Sequence, residues 1–342
     1  MGAVSSPSTP AVLRRPAPRE SVDAAPTPIG FLIVIGAAAL FGMLGPLSRF
    51  AYDLGMQPAA FVAWRAGIAL VVVLAVVAWR IGRGSATRLR FRALPRRTRV
   101  TLLVAALTGF SLNLCMFIAF DRITVALALL GFYTYPAMIA VVNVALGREP
   151  LDRTRVVALG LALAGMIAVV AAQLDPATGI RLDALGIGLA LGAALSQTVY
   201  VVVSRDGYRD VPTDQAIAVV LAVTVVGASL MAILGGVPET LGWPLQQPSV
   251  VPILLFTGIF AAAIPSLGFL RGIRAIGSLR AGILMLFEPV VGVALAAWLL
   301  DETLGPVQVA GAVAILAAAV LLQRATRATD PNDAAVAVPG GP

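Results

Sequence analysis

Long apolar runs recur along the chain, and they constrain its fold more than any other feature. Runs of about 20 apolar residues, each enough to cross a bilayer core as a helix, lie at 29–50, 58–80, 100–120, 124–147, 154–173, 184–204, 214–235, 250–270, 279–300 and 304–323. Inside a membrane every backbone N–H and C=O must be satisfied within the protein, so only helices and closed barrels can span it. Barrel strands are shorter and alternate in polarity, and no such pattern is present. The spacing therefore predicts an all-α polytopic membrane protein of ten transmembrane helices with short connections. Composition agrees: 12% of the residues are charged, against about 25% in a soluble domain.

The arginines orient the predicted spans. All 25 basic residues are arginine, and they cluster in alternate loops. The 2–3 loop carries Arg80, Arg83, Arg88, Arg90, Arg92, Arg96, Arg97 and Arg99. Arg148, Arg153 and Arg155 follow in the 4–5 loop, Arg205 and Arg209 in the 6–7 loop, and Arg271, Arg274 and Arg280 around the 8–9 loop. The intervening loops hold little beyond Arg122 and Arg181. Positive charge marks the cytoplasmic side, so both termini are expected inside. The net charge of +8 is thus membrane topology, and no nucleic-acid partner is expected. Residues 1–28, rich in Pro, Ser and Ala, and the tail 327–342 read as disordered cytoplasmic segments. Arginine in place of lysine, with abundant Ala, Gly and Pro, fits a GC-rich bacterial genome and hence an inner, cytoplasmic membrane.

Ile123–Leu151 (ITVALALLGFYTYPAMIAVVNVALGREPL) is similar to Ile276–Leu304 (IGSLRAGILMLFEPVVGVALAAWLLDETL) at a shift of 153. Pro136 falls on Pro289, Glu149 on Glu302 and Leu151 on Leu304. The chain divides into repeats at 29–173 and 184–323, five helices each. An odd number of spans forces the two halves to face opposite ways. This is the inverted repeat of secondary transporters, whose site lies between the repeats near mid-membrane.

YPAMIAVVNVALGREPL and FEPVVGVALAAWLLDETL each hold a proline in a small-residue helix, then a glutamate-leucine turn. With FVAWRAGIAL in the second span, they make the chain similar to the EamA-type branch of the drug/metabolite transporter superfamily, over about 30–323. The resemblance implies transport, with relatives moving amino acids, nucleotide sugars, phosphorylated sugars and drugs. It also implies efflux as the direction.

Only Arg65 and Glu288 place a charge well inside a predicted span. Each costs about 2.5–3.5 kcal/mol there and calls for a partner, a wet cavity or neutralisation. At ~1.5 Å per residue, Arg65 lies roughly 10 Å from the outer face and Glu288 about 13 Å from the inner one. In a core about 30 Å thick their levels differ by only ~7 Å. A structural ion pair, two walls of a central cavity, or one side chain snorkelling to an interface satisfies this. Glu288 corresponds to Tyr135 in the first repeat, and Arg65 roughly to Val220. Charges present in one half only are the stronger candidates for solute handling, while the paired Glu149 and Glu302 read as interface capping.

Pro136 and Pro289 deprive the carbonyls of Phe132 and Met285 of helical donors; Pro46, behind Gly42 and Gly45, adds a kink in the first span. Asn113, Ser196, Gln197 and Thr198 are neutral polar groups at membrane depth, suited to helix–helix hydrogen bonds. Trp64, Phe132, Tyr133, Tyr135, Tyr200 and Phe287 can furnish aromatic walls. The candidate substrate-binding set is Arg65, Tyr135, Glu288, Asn113, Gln197 and Trp64. Asp206, Asp210 and Asp214, interleaved with Arg205 and Arg209, read as a solvated loop rather than a metal cluster.

No histidine is present and Cys115 is the only cysteine, so histidine chemistry and an intrachain disulfide are excluded. Without a phosphate-binding G-x-x-x-x-G-K-[ST] loop, ATP does not drive the chain from within. No cofactor, no metal and no catalysis are expected. The partners expected are a small-molecule substrate and the lipid bilayer, with protons as a candidate coupling ion. The leading expectation is a secondary transporter, an exporter, of a small polar or zwitterionic metabolite such as an amino acid. The alternatives are carriage of nucleotide sugars or other anionic metabolites, and an intramembrane lipid-processing enzyme.

Overall fold

The structure, a computed structural model, describes residues 28–147, 152–172, 174, 181–292, 294 and 305–327. The segments expected to be disordered lie almost wholly outside the described residues, and so do Glu149 and Glu302. The described residues form helices joined by short turns, with no strand among them. Nine helices are long and apolar enough to cross a membrane. They are α1 (Pro28–Asp53), α2 (Pro58–Gly82), α3 (Arg96–Arg122), α4 (Val125–Ala145), α5 (Arg153–Ala171), α6 (Ala184–Asp206), α7 (Thr213–Leu234) and α8 (Pro248–Ile276), and, last in the chain, α10 (Pro306–Arg327). Between α8 and α10 lies α9, described as Ser278–Met285 and again at 288–292. The rest of its expected span, 279–300, lies largely outside the described residues.

The helices pack as two interleaved halves. α1 packs on α8 as α6 packs on α3; α2 on α8 as α7 on α3; α1 on α9 as α6 on α4. The α2–α7, α4–α9 and α5–α10 contacts each map onto themselves when every helix is exchanged with the one five later. The internal sequence repeat is thus an approximate two-fold relation in space. The α5–α10 pair approaches closely because both sides are small: a methyl group on Gly165 would lie 2.6 Å from the Gly311 carbonyl oxygen.

Three helices are interrupted, each just ahead of a proline. α1 breaks at Gly42 and Met43 before Pro46, α4 at Tyr133 and Thr134 before Pro136, and α9 at Leu286 and Phe287 before Pro289. A proline supplies no N–H to the carbonyl four residues back and its ring crowds that turn, so the ladder parts there. The α4 and α9 breaks fall at the same position of the repeat. The partner of α1, α6, contains no proline and runs unbroken over 23 residues.

The arginine-rich end is tied by side chains. Arg80 Nη1 lies 2.8 Å from Asp214 Oδ2, and the Asp214 side chain is fully buried. Arg274 Nη1 donates to the Val211 carbonyl (3.0 Å) and to Thr213 Oγ1 (3.1 Å), and its Nη2 to the Tyr208 carbonyl (3.2 Å). Gln215 Nε2 donates to the Thr87 carbonyl at 2.8 Å. The solvated-loop reading of the aspartate cluster is therefore corrected at Asp214, which opens α7 and is bound to the end of α2. Asp206 keeps to local contacts with Arg205 and Arg209. At the opposite end Arg122 Nη1 meets Asp183 Oδ2 at 2.9 Å, and this hydrogen bond holds the exposed Asp183 carboxyl below its ordinary range.

Candidate functional site

A cavity of about 300 Å³ lies between the two repeats. At one end it reaches Phe120 and Val125, which flank the α3–α4 turn, and Arg49, near the arginine-poor end of α1. Toward the arginine-rich end it is lined by Tyr200, Ile217 and Phe269, all buried. Above them Pro46, Pro289 and the breaks of α1, α4 and α9 contribute to the lining. Glycine brings the broken helices together: a Cβ on Gly42 would sit 2.5 Å from the Glu288 carbonyl oxygen and 3.3 Å from the Gly292 nitrogen. Real Cβ atoms do not come that close, so only glycine admits this crossing.

Arg65 is 4% exposed and is held by neutral groups from two helices. Its Nη2 donates to Asn113 Oδ1 on α3, and its Nη1 to the Ala261 carbonyl on α8 at 3.2 Å. Its guanidinium lies over the Phe117 ring, 4.9 Å from the centre. The Asn113 amide is oriented by its own donation to the Gly109 carbonyl at 2.8 Å, which turns its oxygen to the arginine. The Ala261 carbonyl is available because residue 265 is a proline and offers no helical N–H. The same stretch carries a π-helical turn, Ile259–Ala263, a form found often at functional sites. Pro265 and this turn were absent from the sequence reading, although a proline inside an apolar run was the available signal.

Glu288 lines the same cavity from the resumed part of α9. Among the described residues no arginine is within ion-pair distance of it; its electrostatic neighbours are Tyr133 and Tyr135. The direct Arg65–Glu288 bridge, one of the arrangements open from the sequence, is not formed. Tyr135 Oη donates to the Gly282 carbonyl across the α4–α9 crossing at 3.3 Å. Nearby, Thr198 Oγ1 reaches the Tyr135 carbonyl at 3.4 Å and Asn143 Nδ2 donates to Ser278 Oγ at 2.9 Å.

Of the six candidate residues, Arg65, Asn113, Tyr135, Gln197 and Glu288 line one cavity. Trp64 does not: it is 36% exposed and its Nε1 donates to the Leu241 carbonyl at 2.8 Å, tying α2 to the α7–α8 connection. Ser196 pairs with Ser111 at 3.1 Å, a helix–helix contact. Three buried polar atoms on the lining residues, Arg65 Nε, Tyr133 Oη and Gln197 Oε1, lack a partner of ordinary hydrogen-bond geometry among the described residues, although the Tyr133 side chain interacts with the Glu288 carboxyl and that of Gln197 with Tyr135. Buried polar groups are nearly always satisfied, so such a group needs a reason. A cationic donor, a hydroxyl and an amide oxygen around one apolar cavity are a constellation for a small polar organic molecule.

The two helix sets that build this cavity are also the two segments recognised by a family model. Residues 28–171 and 184–324 each match the EamA-like transporter family. The chain belongs to the EamA-like transporter family. It is accordingly a multi-pass membrane protein of a family that transports small molecules. Among solved structures, a crystal structure described only as that of a protein matches with a TM-score of 0.71 and 20% identity. The match covers 88% of this chain and 98% of the other, and at this identity it speaks for the fold alone. Comparison with curated proteins finds no match. For this EamA-like chain, the residues that family membership leaves open are those of the cavity, above all Arg49, which the sequence reading did not single out.

Proposed function

We propose that this EamA-like protein is a secondary transporter that exports a small polar or zwitterionic metabolite such as an amino acid across the bacterial inner membrane. The observation that carries the reading is the separation of charge within one cavity. Among the described residues Arg65 is buried without a carboxylate partner, and Glu288 lies on another helix without an arginine partner. A solute carboxylate on Arg65 and a solute ammonium on Glu288, with Tyr133 and Tyr135 beside it, satisfy both charges at once. Such charge-assisted hydrogen bonds are roughly twice as strong as neutral ones. The reach of the cavity to the arginine-poor end supports release on the outer side. Protons are the coupling ion of this reading, exchanged at Glu288.

Counterflow in proteoliposomes tests it. Vesicles loaded with a mixed pool of amino acids should take up the labelled members in a saturable way. Glu288→Gln mimics the protonated carboxyl, so solute binding should persist while the dependence of uptake on external pH disappears. Absence of exchange with every member of the pool overturns the reading. A wild-type pH profile in Glu288→Gln removes this residue from coupling.

A further inference from the structure

The cavity holds a second cation. Arg49 lies on the second segment of α1, four residues before its end at Asp53, and lines the same cavity as Arg65. Its side chain is only partly buried and makes no hydrogen bond or ion pair among the described residues. Arg49 and Arg65 flank a common neighbour: both act electrostatically on Tyr52, whose hydroxyl donates to the Phe117 carbonyl at 3.3 Å, and Phe117 carries the Arg65 guanidinium on its ring. The acidic groups around it are Asp53, one helical turn further along α1 at its exposed end, Asp121, exposed at the end of α3 and acting on the same Tyr52, and Glu288, which lines the same cavity.

The two arginines differ in how they are held. Arg65 is clamped by Asn113, Ala261 and Phe117, which fixes a planar fork suited to a carboxylate. Arg49 has no such clamp among the described residues and lines the cavity from the arginine-poor end of α1, where a flexible guanidinium can meet a second anionic group. Two guanidiniums and one carboxyl give the cavity an excess of positive charge that its apolar lining does not screen. A neutral zwitterion answers Arg65 and Glu288 and leaves Arg49 facing the cavity with nothing to bind.

We propose that Arg49 is a specificity-determining residue and that the cargo is an acidic amino acid, with one carboxylate on Arg65, the second on Arg49 and the ammonium on Glu288. The inference rests on the transport reading above and narrows its substrate class. Arg49 touches the group that separates an acidic amino acid from its amide, so it discriminates between them.

The experiment is uptake into proteoliposomes loaded with L-glutamate, L-aspartate, L-glutamine or L-asparagine, with wild type, Arg49→Gln and Arg49→Lys. Wild type should prefer each acid over its amide. Arg49→Gln should weaken half-saturation for glutamate and aspartate by about tenfold, the loss of one charge-assisted hydrogen bond, and that for glutamine and asparagine, whose amide oxygen makes only a neutral-acceptor bond there, by about twofold at most. Arg49→Lys should keep most of the preference, and its recovery separates lost charge from misfolding. Preference for the amides, or an equal effect of Arg49→Gln on acids and amides, overturns the inference and leaves the transport reading standing. Exchange of neutral amino acids from the wider pool, with none of the acids carried, does the same. No exchange with any amino acid overturns both.

Discussion

Arg65 Nη1 donates at 3.2 Å to the carbonyl oxygen of Ala261, the carbonyl that Pro265 leaves without a helical donor. A kink in α8 thus becomes part of the seat of a charge on α2. The fork spans two helices, since Nη2 is on Asn113 of α3. A lysine ammonium is a point charge on a flexible stem and cannot hold both helices while lying over Phe117. Arg65→Lys should therefore insert normally and lose about 1–3 kcal/mol of stability through the stranded Asn113 and Ala261 acceptors. Solute binding should fall with it. Thermal unfolding in detergent together with a binding titration reads both, and wild-type values in each would show that the planar fork is not used.

The Arg80–Asp214 pair predicts an asymmetry. The Asp214 side chain is fully buried and Arg80 is 33% exposed. Arg80→Ala leaves a carboxylate inside the protein, with the Gln215 backbone N–H at 3.1 Å as its remaining donor. Asp214→Asn leaves an arginine that can turn to water. A fully buried pair broken from one side costs about 3–5 kcal/mol; exposure of the arginine reduces this. Arg80→Ala should cost about 2–3 kcal/mol and Asp214→Asn about 1 kcal/mol. Denaturation of the two variants in parallel decides, and an equal or reversed order would show that Asp214 is not held by Arg80.

The fold was legible in the sequence where its physics is one-dimensional. Apolar run length, arginine bias and the 153-residue shift follow from the bilayer and need no knowledge of packing. Pro136 and Pro289 marked the α4 and α9 breaks for the same local reason. Side-chain partnerships were not legible. Asn113 read as helix glue, yet it orients Arg65; Asp214 read as solvated, yet it is buried beneath the end of α2. Arg49 was passed over because depth counted along one helix says nothing about which cavity a side chain enters. Trp64 shares the polarity pattern of a cavity residue but faces the connection around Leu241.

Orientation follows from the arginine bias and is testable with reporters. Fusions at Gly82 and Arg327 should report the cytoplasm, and one near Pro238 the outside. The arginine-rich loops then share one side, and the cavity end at Phe120 and Val125 faces out. A cytoplasmic signal at Pro238 would contradict both the opposed halves and the outward reach of the cavity.

The meeting of the broken helices rests on Gly42. A methyl group there would stand 2.5 Å from the Glu288 carbonyl oxygen, a backbone atom that cannot rotate away. Either α1 or α9 must shift, and overpacking of this kind costs typically about 1–3 kcal/mol. Gly36, on the same helix, has nothing within 4 Å of its added Cβ, so Gly36→Ala should be neutral or slightly stabilising through helix propensity. Gly42→Ala should lower Tm and also impair transport, because the displaced segment carries Glu288. Pro289→Ala supplies a second, independent arm: it returns an N–H to the Met285 carbonyl and should straighten α9 without adding bulk. Transport that falls in Gly42→Ala and Pro289→Ala but not in Gly36→Ala ties activity to the break itself. Full transport in Gly42→Ala would show that the crossing tolerates a side chain and that the position of Glu288 does not depend on it.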